Sequence, residues 1–107
     1  MAVRLRYFDG CPNWKVAHQR LKEALRRTGR ENEEIVLEQV NSPAEAERMR
    51  FRGSPTILIE GEDHFADEAA SYGLSCRVYR TERGTEGSPS VEQLEGALRL
   101  SRGAARE

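Results

Sequence analysis

An α/β sandwich around a mixed four-stranded sheet, in the order β-α-β-α-β-β-α, is what the sequence predicts. Three observations carry the prediction. The hydrophobic period changes from two to about 3.6 just beyond Tyr7, as it does where a strand gives way to a helix. Two capping-box patterns, at Ser42 and Ser90, mark later helix starts. Between them lies "PTILIEG", an apolar run that reads as a buried strand entering a turn. Strands alternating with helices, then a hairpin and a last helix, make a layered domain. Right-handed crossover then makes the first two strands parallel.

Each element has its own signal. In "VRLRYF", Val3, Leu5 and Tyr7 alternate with Arg4 and Arg6, the pattern of a strand with one buried face. From Pro12 onward, Trp14, Ala17, Leu21, Leu25 and Thr28 recur at helical spacing with Ala24 beside them, and Gly29 is the stop. "EEIVLEQV" (Glu33 to Val40) is β-branched and reads as the second strand. In "NSPAEAERMRFRG", Ser42 caps, Pro43 takes the first helical position, Glu45 completes the box and Gly53 closes the helix. "CRVYRT" reads as a short strand and "ERGTEGSPS" as a loop. Its "RGTEG" lacks the strand-to-helix setting of a phosphate loop. Ser90 and Gln93 cap the last helix, with Val91, Leu94 and Leu98 facing inward, and the tail from Ser101 reads as frayed.

The 107 residues (12.1 kDa) suit a single domain, with an ordered core over roughly residues 3–100. Apolar residues make up 37% and charged residues 33%, enough for a modest core in a polar chain. The net charge is −1, and the seventeen basic residues are interspersed among eighteen acids; a nucleic-acid module would carry a basic excess. No apolar run approaches the roughly 20 residues of a membrane span, and "MAVRLRYFDG" lacks the apolar centre of a signal peptide. The expected setting is the cytoplasm, where thiols stay reduced, with no membrane or nucleic-acid partner. Two cysteines do not make a disulfide framework.

Cys11 is the first of these cysteines. It stands where the first strand ends and Pro12 opens the first helix, as N-cap or its immediate neighbour. There the amides of Asn13 and Trp14, together with the helix dipole, would favour thiolate over thiol. Asp9 would oppose this if its carboxylate lay close. The plainer alternative is a small buried cysteine that caps a helix.

Strand, Cys-Pro-Asn-Trp, helix and a later "GSPTILIEG" together resemble the thioredoxin fold, over roughly Val3 to Leu100. The resemblance implies that the Ser54–Pro55 bond is cis, that Ser54 faces Cys11, and that its backbone can pair with an extended substrate. It makes Cys11 the catalytic thiol, with Pro12, Asn13, Trp14, Ser54 and Pro55 binding substrate. The chain departs from the family where the second sulfur is served: Trp14 stands in the place of the resolving cysteine, and Leu5 in that of the buried acid. A weaker likeness is to small bacterial thioredoxin-like proteins labelled with alkylmercury lyases.

Cys76 is a possible second thiol. As the start of an edge strand antiparallel to its neighbour, it would lie on the order of 10 Å from Cys11, given about 3.4 Å per residue. A direct disulfide would then be out of reach, and Cys76 reads as a buried structural thiol. His18, two turns along the first helix, reads as solvent-facing. His64 with Asp63, Asp67 and Glu68 resembles a metal cluster, but zinc-type spacing is lacking and a solvated loop is the preferred reading. Neither a metal nor another cofactor is expected. The role of the insertion at residues 62–75 stays open between covering the site and pairing two chains.

The expected function is thiol–disulfide exchange or thiol trapping through Cys11, with a protein or small-molecule disulfide or thiol as partner. The alternatives are a non-catalytic binding module of the same fold and a soft-metal (mercury-type) thiolate binder.

Overall fold

A computed structural model describes residues 2–65 and 71–105, with side chains through residue 100. The elements run β1 (Val3–Tyr7), α1 (Asn13–Arg27), β2 (Ile35–Gln39), α2 (Pro43–Arg48), β3 (Thr56–Ile59), β4 (Tyr79–Thr81), β5 (Gly84–Glu86) and α3 (Val91–Ala105). The main sheet has the order β2-β1-β3, with β1 parallel to β2 and antiparallel to β3. It is a small α/β domain with a mixed sheet.

The alternation in β1 divides the two faces of that sheet. Val3 and Leu5, together with Ile57 and Ile59 of β3, are buried against Ala17, Leu21, Ala24 and Leu25 of α1 and Leu94, Ala97 and Leu98 of α3. Arg4 and Arg6 point the other way and share Glu38 of β2, at 2.6 and 2.7 Å. The caps form largely as the sequence predicts. Ser42 Oγ accepts from the Glu45 amide at 3.1 Å, while the Glu45 carboxylate reaches the Asn41 amide at 2.8 Å, one residue earlier than in the usual box. At α3 the reciprocal pair is complete: the Ser90 amide donates to Gln93 Oε1 at 3.0 Å and the Gln93 amide to Ser90 Oγ at 3.1 Å.

Four expectations are corrected. The sheet has three strands, not four, and β4 pairs with β5 in a separate hairpin. β5 lies within the stretch read as a loop, because a Glu82-Arg83 turn carries none of the Asn-Gly or Asp-Gly signal that marks tight hairpins. α2 ends at Arg48 rather than Gly53. Arg50 takes the left-handed position (φ 55°), and the Phe51 amide donates back to the Ala46 carbonyl at 2.7 Å, a Schellman ending completed by buried Phe51. α3 continues through Ala105, beyond the expected fraying point.

Gly29 does terminate α1, at φ 76° with the Arg30 amide bonded to the Leu25 carbonyl at 2.7 Å. From the solvent side of α1, Arg20 holds the far end of the chain. Its guanidinium meets Glu86 at 2.9 Å and the carbonyls of Ser88 and Pro89 at 3.3 and 3.2 Å. The hairpin and the start of α3 are thereby tied to α1, whose first residues carry the cysteine loop.

Candidate functional site

The Cys11 loop and the Ser54–Pro55 loop meet at the C-terminal end of β1 and the entrance to β3. The Ser54–Pro55 bond is cis. Pro12 is the N-cap of α1 (φ −72°), so Cys11 is the cap's neighbour and lies one residue outside the helix. Cys11 is fully buried, and its thiol donates to the Ser54 carbonyl at 3.7 Å. The expected geometry had amides aimed at the sulfur; here the thiol gives its proton outward to an oxygen instead. Asp9 is exposed.

Ser54 does not offer a free edge. Its amide donates to the Ser75 carbonyl at 2.8 Å, and its carbonyl accepts from the Arg77 amide at 2.8 Å. These two bonds form a parallel bridge between Ser54 and Cys76. The backbone that the resemblance assigned to an extended substrate is therefore occupied by residues 75–77 of the same chain.

Cys76 is accordingly the largest correction. It is exposed rather than buried, and it lies directly across from Ser54 rather than at the remote end of an antiparallel strand. Both cysteines are free thiols, and they sense one another. Cys76 is pushed above its ordinary value by hydrogen bonding to Cys11 first, then by desolvation and by repulsion from charge on Cys11.

The Arg77 side chain, whose role the sequence did not reveal, anchors the segment beside this bridge. The residue is buried, and its guanidinium meets Asp63 at 2.7 Å and Thr56 Oγ1 at 3.2 Å. It also lies over the Tyr79 ring, 4.8 Å from the centroid. Tyr79 in turn donates its hydroxyl to the Pro55 carbonyl, and burial raises its ionisation above the ordinary phenol value. A charged residue that follows a cysteine in "CRVYR" reads as a solvated strand position; only the fold brings Asp63 to it.

Gly53 is needed for the same contact. At φ 124° it sits in a region that side chains avoid, and an added Cβ would lie 3.1 Å from both the Ser75 carbonyl oxygen and Arg77 Cβ. On the Ser54 side chain, Oγ is the one buried side-chain nitrogen or oxygen among the described residues with no hydrogen-bond partner. It belongs to the residue whose carbonyl receives the Cys11 thiol.

Pro12 is exposed. Trp14 is half-buried against the core and stacks on Tyr7 at 4.2 Å between ring centroids, so its ring belongs to the packing of α1 on β1. Asn13 packs against Gly87, where a Cβ would come within 2.3 Å of its amide nitrogen. His18 is half-buried, 6.5 Å from the Trp14 ring, and is lowered by desolvation and then by Lys22. Asp63 is the ion-pair partner of Arg77, and Asp67 and Glu68 lie outside the described residues. Among the described residues, three or more His, Cys, Asp or Glu side chains nowhere gather as they would around a metal ion. Nor is any helix there long and apolar enough to cross a membrane.

A cleft of about 260 Å³ opens beside Cys76, lined by Arg52, Phe65, Ser75, Arg77 and Val78. Arg52 lies over the Tyr72 ring at 4.9 Å. The cleft gives Cys76, and not Cys11, access to solvent.

Compared with known proteins, the chain matches no family model, no curated protein and no solved structure.

Proposed function

We propose that this is a thioredoxin-like protein of the cytoplasm that exchanges thiols and disulfides, or traps thiols, at the Cys11 site. One observation carries the reading: the Cys11 thiol rests 3.7 Å from the carbonyl of Ser54, the residue on the N-terminal side of the cis bond. A thiol held in one place is positioned to react once it loses its proton, because the thiolate is the nucleophile. The thiolate attacks a disulfide R–S–S–R′, a mixed disulfide forms, and R′S⁻ leaves and takes up a proton. A thiol of a small molecule or protein then attacks the mixed disulfide and releases the site.

Complete burial of Cys11 favours a second reading, a binding module that keeps the architecture without the chemistry, because reactive cysteines are as a rule partly exposed. The two separate in one experiment. The reduced protein is mixed with a small aromatic disulfide that releases a coloured thiol, and the protein adduct is located by mass. Exchange predicts rapid release by the folded chain, above the rate of a free thiol at the same pH. A rate that rises only when the chain is unfolded would leave the binding module.

A further inference from the structure

We propose that Cys11 and Cys76 form one dithiol–disulfide couple, in which exposed Cys76 attacks the substrate and buried Cys11 resolves the mixed disulfide. The inference rests on the exchange reading above and changes its mechanism from one thiol to two.

Three geometric facts lead to it. First, both cysteines meet at one residue, Ser54. The Cys11 thiol reaches the Ser54 carbonyl oxygen at 3.7 Å, and the amide that follows Cys76 reaches the same oxygen at 2.8 Å. Residues paired across neighbouring strands lie about 4.8 Å apart, so Cys76 is one strand spacing from Ser54. Second, their accessibilities are opposite. Cys76 opens on the cleft between Arg52, Phe65 and Val78, whereas Cys11 has no exposed surface. A substrate disulfide meets Cys76 first, and a sulfur behind it is placed to finish the reaction. Third, Cys76 is fixed by hydrogen bonds on both sides. Ser75 receives the Ser54 amide, and Arg77 is held by Asp63 and Thr56. The thiol therefore stays beside its partner without a Cys-x-x-Cys loop.

Cys76 thiolate attacks one sulfur of R–S–S–R′. The Cys76–S–R bond forms, and R′S⁻ leaves and is protonated. Cys11, as thiolate, attacks Sγ of Cys76; the Cys11–Cys76 bond forms and RS⁻ leaves with the second proton. Two electrons pass from the protein to the substrate, which ends as two thiols. A dithiol or two monothiols, of small-molecule or protein origin, return the electrons and close the cycle. Hydrogen bonding to Cys11 raises the Cys76 thiol, so Cys76 reacts through the thiolate fraction that grows as the pH rises.

The test uses the whole chain and a small disulfide, oxidised glutathione, with acid quenching and peptide mapping under non-reducing conditions. Wild type should accumulate an internal Cys11–Cys76 disulfide with little glutathione attached. Cys11→Ser should retain a glutathione adduct on Cys76 that persists at least tenfold longer than in wild type, and Cys76→Ser should react at least tenfold more slowly. Persistent glutathione on Cys11 in wild type, with no internal disulfide, would overturn the couple and leave single-thiol exchange in place. Failure of folded wild type to react at either sulfur would overturn both readings. The wild-type map decides the question even if a variant folds poorly.

Discussion

Replacing Gly53 by alanine tests the contact that brings the two cysteines together. At φ 124° a residue with a side chain is held in a region that costs about 1–3 kcal/mol. The new Cβ would also stand 3.1 Å from the Ser75 carbonyl oxygen and from Arg77 Cβ. That oxygen cannot retreat without lengthening its 2.8 Å bond from the Ser54 amide, an interaction worth about 1 kcal/mol. Together the loss should be about 2–4 kcal/mol. Gly29→Ala is the control: its φ is also positive, at 76°, but nothing lies within 4 Å of the added Cβ. There only the left-handed backbone is penalised, by about 1–2 kcal/mol. Urea unfolding followed by tryptophan fluorescence measures both. With a slope of about 1–3 kcal/mol per molar urea, Gly53→Ala should lower the midpoint by about 1 M or more, clearly beyond Gly29→Ala. Equal shifts would refute a crowded Gly53 and, with it, the close approach of residues 75–77.

Arg77→Met removes the cation from a buried pair and leaves Asp63 and Thr56 without it. Partial exposure of Asp63 tempers the usual 3–5 kcal/mol, so about 2–4 kcal/mol is expected by urea unfolding, with part regained in Arg77→Met/Asp63→Asn. Cys76 should alkylate late in a pH series on wild type. In Cys11→Ser its profile should move to lower pH, because the hydrogen bond and charge that raise it are gone; an unmoved profile would mean that the sulfurs do not interact. Ser90→Ala breaks one half of the reciprocal cap on α3 and should cost about 1 kcal/mol, read from the same unfolding curves.

Local signals in the sequence recovered what local physics determines. The stripe Ala17, Leu21, Ala24 and Leu25 forms the buried face of α1, and Ser42 and Ser90 cap where their patterns place them. The cis bond at Ser54–Pro55 also follows the motif that suggested it. What was not legible depends on partners distant in sequence. Gly53 follows α2 closely enough to look like its stop, yet Arg50 and Phe51 end that helix, and Gly53 serves the approach of Ser75 and Arg77. Arg77 sits in an alternating run, and nothing nearby announces Asp63. With that pair invisible in the sequence, the local pattern places Cys76 on an antiparallel edge strand, far from Cys11. Placing residues 75–77 in parallel beside Ser54 moves Cys76 into the site and fills the edge reserved for substrate.

Equilibrium oxidation probes that placement of Cys76 beside Cys11. Wild-type protein would be brought to equilibrium with graded ratios of reduced and oxidised glutathione, quenched in acid and mapped. One two-electron transition is expected, ending in an intramolecular Cys11–Cys76 disulfide. A folded protein that carries only glutathione adducts, or stays fully reduced across the series, would contradict it.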